Sequence, residues 1–247
     1  MIGPRETFPE AVWEEKRAAP RALQRVAGGW YAPPLRPDGA AWIAWVERDL
    51  DATLGAMIAR AEEDRAGSLR VGGPPGNYLT SGAREDEVAA FAARGFAVIG
   101  EHADLEVDPR VPPQSEPRVA REANPDALLA WIERAFGGAW AMEARRAASH
   151  GALFVARAGD RTLGFAAHSG NNAALGTFGP IGVADDARGL GLGGALADAA
   201  FEDLARRGFA RVIVPWVDLA TVPFYARRVT VHASHRRVSM RRLARTG

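Results

Sequence analysis

Cysteine is absent from the 247 residues, which excludes disulfides, thiolate nucleophiles and cysteine-bound metal. Lysine is nearly absent, since Lys16 is the only one, so arginine carries almost all of the positive charge. An excess of one sign is lacking too: 31 basic side chains face 30 acidic ones, for a net charge of +1. No overall field draws such a chain to nucleic acid or to a membrane, and any anion site must be local. No apolar run approaches the roughly 18 residues a membrane span needs, and MIGPRETFPE lacks the basic and apolar pattern of a signal peptide. The expectation is a cytoplasmic protein, monomer or homodimer, without nucleic-acid or membrane partners. There is no Gly-x-Ser-x-Gly elbow and no Gly-Lys-Ser or Gly-Lys-Thr. Apolar residues at 47% and charged ones at 25% are those of a globular protein. The length suits two domains of about 120 residues each.

Four prolines in EVDPRVPPQSEP, Glu106 to Pro117, have the composition of a stiff linker. They divide the chain into residues 1–111 and 112–247. Beyond the linker, Arg118 to Ala123 suits a short strand. Asn124 and Pro125 then open a helix, with a capping side chain and a proline at its first position, whose apolar face is Leu128, Ile132, Ala135 and Phe136. ALFVARAGDRTLGFAAHS reads as a hairpin turning at Ala158 to Arg161, and GTFGPIGV as a strand ending at Val183. After a glycine loop, Leu192, Leu196, Ala200 and Leu204 mark one face of a helix closed by Arg206, Arg207 and Gly208. ARVIVPWVD is a strand interrupted at Pro215, TVPFYARR a short helix, and RRVSMRR a closing strand. The five arginines from Arg236 to Arg245 read as a solvated edge that guards against pairing. The first half echoes this order: Val88 to Phe96 aligns with Thr221 to Val229, and Thr53 to Gly67 with the helix after the glycines. GGPPGN, Gly72 to Asn77, reads as a turn.

The glycine loop carries the chemistry. In VADDARGLGLGGAL, unbranched residues let backbone N–H groups approach an anion, and the following helix adds its own free N–H groups and positive dipole end. Arg188 stands directly before Gly189, where a pyrophosphate would pair with it. Gly189, Gly191 and Gly194 formally satisfy Gly-x-Gly-x-x-Gly, which keeps a nicotinamide-dependent oxidoreductase in view. Two features oppose that reading. Residues Ala184 to Arg188 separate the strand from the first glycine, and only 29 residues follow Asp218, too few for the further units of a doubly wound sheet.

GPIGVADDARGLGLGGAL resembles the acyl-CoA signature of the GNAT superfamily of N-acetyltransferases, Arg/Gln-x-x-Gly-x-Gly/Ala, matched by Arg188, Gly191 and Gly193. The strand before it and the helix, strand and PFYARR after it keep that family's order. The resemblance covers Arg118 to the C-terminus well and the first half faintly. It implies an α/β (α+β) protein of two GNAT-like domains, each a mixed, mostly antiparallel sheet flanked by helices. It further implies acetyl-CoA as cosubstrate, held by the backbone of Ile181 and Val183 and by Arg188, Gly189, Leu190, Gly191, Leu192, Gly193 and Gly194, with Tyr225 as the acid for the departing thiolate. Arg228 and Val229 replace the Gly-Phe pair the family places after that tyrosine. In the first half Leu50, Asp51 and Thr53 stand where Arg188, Gly189 and Gly191 do, and a carboxylate there repels pyrophosphate. Ala92 takes the place of the tyrosine. The first domain is expected to lack a coenzyme loop.

The activity so implied is acetyl transfer to a primary amine, of a small molecule or a peptide, by direct attack. It needs a neutral amine, donors for the carbonyl oxygen and a proton for the thiolate. Backbone N–H near Gly182 and Val183 is the candidate oxyanion donor. Asp218 and His168 are the candidate bases, although a hairpin histidine is more often a surface residue. Asp185 and Asp186 read as solvent-facing carboxylates at the helix start. His232 and His235, three apart on a strand, point to opposite faces, so no metal is expected. A catalytically silent acyl-CoA-binding sensor or scaffold is the alternative.

Overall fold

A computed structural model describes residues 8–18, 23–74, 76–112 and 116–244. The chain forms two compact units: Met1–Asp104 with Trp216–Leu219 and His235–Gly247, and Leu105–Pro215 with Ala220–Ser234. The final segment therefore packs with the first unit, away from its neighbours in sequence. Residues 113–115, within the proline-rich stretch, and Arg245 lie outside the described residues.

The first unit begins with helix α1 (Glu10–Ala18), strands β1 (Gln24–Val26), β2 (Gly29–Ala32) and β3 (Ala40–Val46), and helix α2 (Leu50–Glu63). Strands β4 (Ser68–Val71) and β5 (Ala83–Arg84), helix α3 (Val88–Ala92) and strand β6 (Ala97–Asp108) follow. Leu54, Met57 and Ala61 recur down one face of α2 and meet Tyr31, Ile43, Leu69, Val71 and Phe91 in one core. Strand β3 runs parallel to β4 from Ala40↔Ser68 to Ile43↔Val71 and then continues to Val46 without it. The N-terminus of α2 is closed from within. Asp49, in the left-handed region at φ 42°, accepts a bond from the Ala52 N–H (3.1 Å), and the Thr53 hydroxyl donates to the Arg48 carbonyl (2.8 Å). Asp51 is paired with Arg94 at 2.8 Å.

The second unit contains strand β7 (Val119–Arg121), helices α4 (Pro125–Phe136) and α5 (Gly138–Ser149), and strands β8 (Leu153–Ala158), β9 (Arg161–His168) and β10 (Phe178–Val183). Helix α6 (Leu192–Arg206), strand β11 (Val212–Val217), helix α7 (Val222–Ala226) and strand β12 (Thr230–Leu243) complete the chain. Strands β7 to β10 form an antiparallel sheet in the order β10-β9-β8-β7. Alternation divides its side chains between two faces. Leu153, Val155, Phe165 and Ala167 pack on α4 and α5, whereas Gly164 lies against Leu196 of α6 and His168 bonds to Asp203 of α6.

Several expectations change. Glu106 and Val107 belong to β6, with Val107 wholly buried, and the strand ends at Asp108, directly before Pro109, which has no N–H for a ladder. Asn124 occupies the N-cap of α4 without a side-chain capping bond, so Pro125 at N1 is the helix-start signal that operates. Helix α5 follows from small residues, Ala141, Ala144 and Ala147, whose burial a hydrophobicity pattern barely registers. Arg236 to Arg242 is no solvated edge. Strand β12 lies inside its sheet, paired with β4 and β5, so Arg237 is buried while Arg236 reaches Glu85 and Glu101.

The closure of α2 can be tested by substitution. Asp49→Ala is expected to lower the urea-unfolding free energy by about 1–2 kcal/mol through loss of the cap, with Asp49→Gly costing only a few tenths. No measurable loss in Asp49→Ala would mean that the carboxylate is not the stabilising element.

Candidate active site

Strand β10 is the outermost strand of its sheet. An isolated parallel bridge, Thr177↔Ile213, ties its start to β11, and from Phe178 onward β9 is its partner on one side. The Ala184 N–H donates to the Leu163 carbonyl at 2.8 Å. Bonded and non-bonded pairs alternate in an antiparallel ladder, so Gly182, opposite Phe165, turns its N–H and C=O to β9. Ile181 and Val183 turn theirs to the open side. Of the two expected oxyanion donors, Val183 therefore has an outward N–H and Gly182 does not. Gly182 is bare for packing: a Cβ there would lie 2.6 Å from the Phe136 ring.

The loop after β10 leads into α6 with its amides exposed. Gly191 is the N-cap at φ 77°, with no side-chain capping bond, and Gly189 has φ 81°. A Cβ at either glycine would meet nothing within 4 Å, so their conformation needs glycine while the space beside them is open. The N–H groups of Gly189, Leu190, Gly191, Leu192 and Gly193 have no acceptor among the described residues. Leu192 is buried at 1% exposure and anchors the turn, whereas Leu190 is 53% exposed. Gly194 has a different reason to be glycine. Its N–H bonds to the Gly191 carbonyl (3.1 Å), and a Cβ would strike the Arg228 guanidinium. Arg228 sits there because Asp198 accepts from its Nη1 at 2.7 Å and the Phe224 ring lies 5.2 Å beneath it. The arginine that stands where a Gly-Phe pair was expected thus fills the space that Gly194 leaves.

The charges near the loop lie at the surface. Arg188 is exposed and pairs with exposed Asp185 at 2.8 Å, and Asp186 pairs with Arg161. Tyr225 on α7 is buried to 5% exposure, its ring edge-on to Phe178, 6.0 Å between centroids, where β10 starts to leave β11. Phe178 in turn stacks on Phe201 of α6 at 4.3 Å. The Tyr225 hydroxyl makes no hydrogen bond among the described residues, and burial raises its pKa well above the ordinary phenol value. Asp218 is exposed after β11 and is counted with the first unit.

His168 is not a surface residue. It is fully buried, and its Nε2 lies 2.9 Å from the Asp203 carboxylate, with Nδ1 3.1 Å from the Ser169 hydroxyl. Arg121 and Arg207 donate to the same carboxylate at 2.6 and 2.8 Å. The network joins β7, β9 and α6, and commits His168 to structure. Composition could not reveal it, because Arg121, His168 and Asp203 are far apart in the chain. No group of three or more His, Asp or Glu among the described residues is arranged to hold a metal, and no described helix is long and apolar enough to cross a membrane.

Residues 119–229 match the model of the acetyltransferase (GNAT) family. No curated protein matches the chain in sequence. Among solved structures, the chain is similar to a GCN5-related N-acetyltransferase from Sphaerobacter thermophilus, with 18% identity, a TM-score of 0.66 and coverage of 89% of this chain and 78% of that one. It is similar over 100% of its length to 91% of a tandem GNAT protein from the clavulanic acid biosynthesis pathway, with 20% identity and a TM-score of 0.64. A third likeness is to the glucosamine N-acetyltransferase region of a fungal multi-domain GH3 beta-N-acetylglucosaminidase, with 17% identity and a TM-score of 0.68. It covers 94% of this chain, which spans only 36% of that protein. At such identities the likeness is one of fold: two sheets flanked by helices.

Burial lowers the His168 pKa from 6.5 to about 4, against the pull of Asp203. For Asp203, burial acts upward, but the hydrogen bonds from Arg121 and His168 outweigh it and hold the carboxyl at about 2. Between those two histidine values the unfolded chain binds the proton that the folded chain refuses, so stability is complete above pH 6.5 and is lost as pH falls toward 4. The slope from this one group approaches about 1.4 kcal/mol per pH unit within the window. Urea unfolding at several pH values is expected to show it, and His168→Gln to flatten it; an unchanged slope in that variant would contradict a neutral buried imidazole.

Proposed function

Residues 119–229 belong to the GNAT acetyltransferase family, and from that premise we propose that the chain transfers an acetyl group from acetyl-CoA to a primary amine, using the second unit. The observation that carries the reading is the run of unpaired amides from Gly189 to Gly193 at the start of α6, next to a strand whose outward backbone is open. The fit is chemical. A diphosphate needs several convergent N–H donors and a positive field, and free helix-start amides preceded by glycines at positive φ provide both. Arg188 is exposed and free to exchange Asp185 for a phosphate oxygen. The outward groups of Ile181 and Val183 suit the amides of the pantetheine arm. Gly194 supports this loop from behind by admitting Arg228.

Bound acetyl-CoA supplies an activated thioester. The Val183 N–H is placed on the open edge, where it can donate to a carbonyl oxygen as that oxygen gains charge. Tyr225 holds its proton firmly because of burial, while a thiol of ordinary pKa near 8.5 is more acidic. The phenol therefore stabilises the departing sulfur chiefly by donating a hydrogen bond, and the proton that finally neutralises the sulfur comes from the amine. His168 is excluded as base by its commitment to Asp203, and Asp218, counted with the first unit, is not assigned to this site. The first unit binds no coenzyme in this reading, since Asp49 and Asp51 occupy and charge the corresponding helix start.

Calorimetry with CoA tests the loop: a single site per chain is expected, weakened at least tenfold in Gly191→Val, which both strains φ and fills the open space. Unaltered affinity in that variant would refute the assignment. Tyr225→Phe is expected to lower kcat for thiol release at least tenfold while leaving the KM for acetyl-CoA within about threefold, the pattern of an interaction made in the transition state. Tight CoA binding without turnover across a broad amine panel would replace the enzyme by a sensor.

A further inference from the structure

The sheet of the first unit has a second face. Ala41 and Ile43 of β3, Leu69 and Val71 of β4, and Val238 and Met240 of β12 point into the core, so alternation turns Trp42, Arg70 and Arg241 to the other side. Register brings these three into one row: Arg70 stands opposite Trp42 across the parallel pair and opposite Arg241 across the antiparallel one. Side chains opposed in this way start about 5 Å apart, and like charges there repel. Both arginines are half-buried. Neither has a carboxylate or any other acceptor among the described residues, although the next residue, Arg242, is paired with Glu62. The Arg70 guanidinium lies 5.4 Å from the centre of the Trp42 ring. Its Nε is shut off from solvent without a partner, while the other nitrogens of the two guanidinium groups stay within reach of solvent.

Two partly desolvated cations side by side cost free energy unless an anion sits between them. A dianion neutralises both guanidinium groups whereas a monocarboxylate neutralises one, and the planar fork of arginine matches the oxygens of a phosphate. Stacking on Trp42 holds Arg70 in place beforehand, so less rotamer freedom is lost on binding. Ser68 and Ser239, each two residues before one of the arginines, share this face and offer hydroxyl groups beside the pair. We propose that Arg70 and Arg241 form a binding site for a phosphate dianion, either free or as the phosphate group of a phosphomonoester. The site lies in the first unit and does not depend on the acetyltransferase reading of the second. Its signals are separated by residue from those of the glycine loop, which is itself suited to an anion.

The full-length protein, labelled with nitrogen-15, can be titrated with sodium phosphate at a pH where the anion is doubly charged, and separately with sodium chloride and sodium acetate at equal ionic strength. Saturable shifts at Trp42, Arg70 and Arg241 are expected with phosphate alone, weakened at least tenfold in Arg241→Gln, which removes one charge of the pair. Arg70→Gln, if folded by the same spectrum, should weaken them likewise. Glycerol 3-phosphate separates the two sources: affinity at least tenfold above that of inorganic phosphate assigns the site to a phosphomonoester, and equal affinity assigns it to free phosphate. The proposal is overturned if phosphate gives no saturable shifts at these three residues, if chloride or acetate reproduces them, or if Arg241→Gln leaves the affinity unchanged. Shifts confined to Gly189–Gly193 would overturn it too, while leaving the assignment of the loop intact.

Discussion

An α-helix leaves its first N–H groups without intrahelical acceptors, and a protein must meet them with a side chain, with water or with a ligand. This chain uses two of those answers at two similar strand-to-helix junctions. At the start of α2 the acceptor is Asp49 itself, and Thr53 and Arg94 complete the closure. At the start of α6 no side chain caps the helix, Gly189 and Gly191 hold the backbone in left-handed conformations, and the amides stay available. The function proposed for the second unit rests on that contrast, because unmatched donors suit an anion and a carboxylate repels one.

Keeping the second junction open places demands on its surroundings. Helix α6 is anchored by Leu192, Leu196 and Leu204 on the sheet and by Asp203, which gathers His168, Arg121 and Arg207 at its far end. Near its start, Asp198 and Phe224 hold Arg228 over Gly194. The bare loop is thus carried by a helix that is held at both ends. Burial of Tyr225 beside Phe178 similarly fixes the phenol with respect to β10, while its hydroxyl is left without a protein partner.

The first unit keeps the strand–helix–strand plan without the glycine loop, and its interior has gone a different way. Its polar chemistry centres on Asp104, which binds Ser81, Trp216 and Arg237 from three separate stretches of chain. Trp216 accepts a φ of 60° there, a conformation that costs free energy for a non-glycine residue and is held by its surroundings. Duplication of a fold evidently leaves each copy free to satisfy the same backbone in its own way.

Local features were legible in the sequence because they are decided within a few residues. The helix of α6, its glycine loop, the β8–β9 hairpin, Pro125 at a helix start and the carboxylate at the α2 start all follow from periodicity, φ preference or charge at fixed spacing. What only the tertiary structure decided involves partners distant in the chain. His168 reads as a surface residue until Asp203 and Arg121 are brought beside it. Arg237 reads as one of a solvated row until β12 is placed inside a sheet, between β4 and β6, where its side chain is buried. Gly194 reads as part of an anion loop until Arg228 is found above it. Backbone preference is a property of the residue, whereas burial and electrostatic pairing belong to the neighbours that folding supplies.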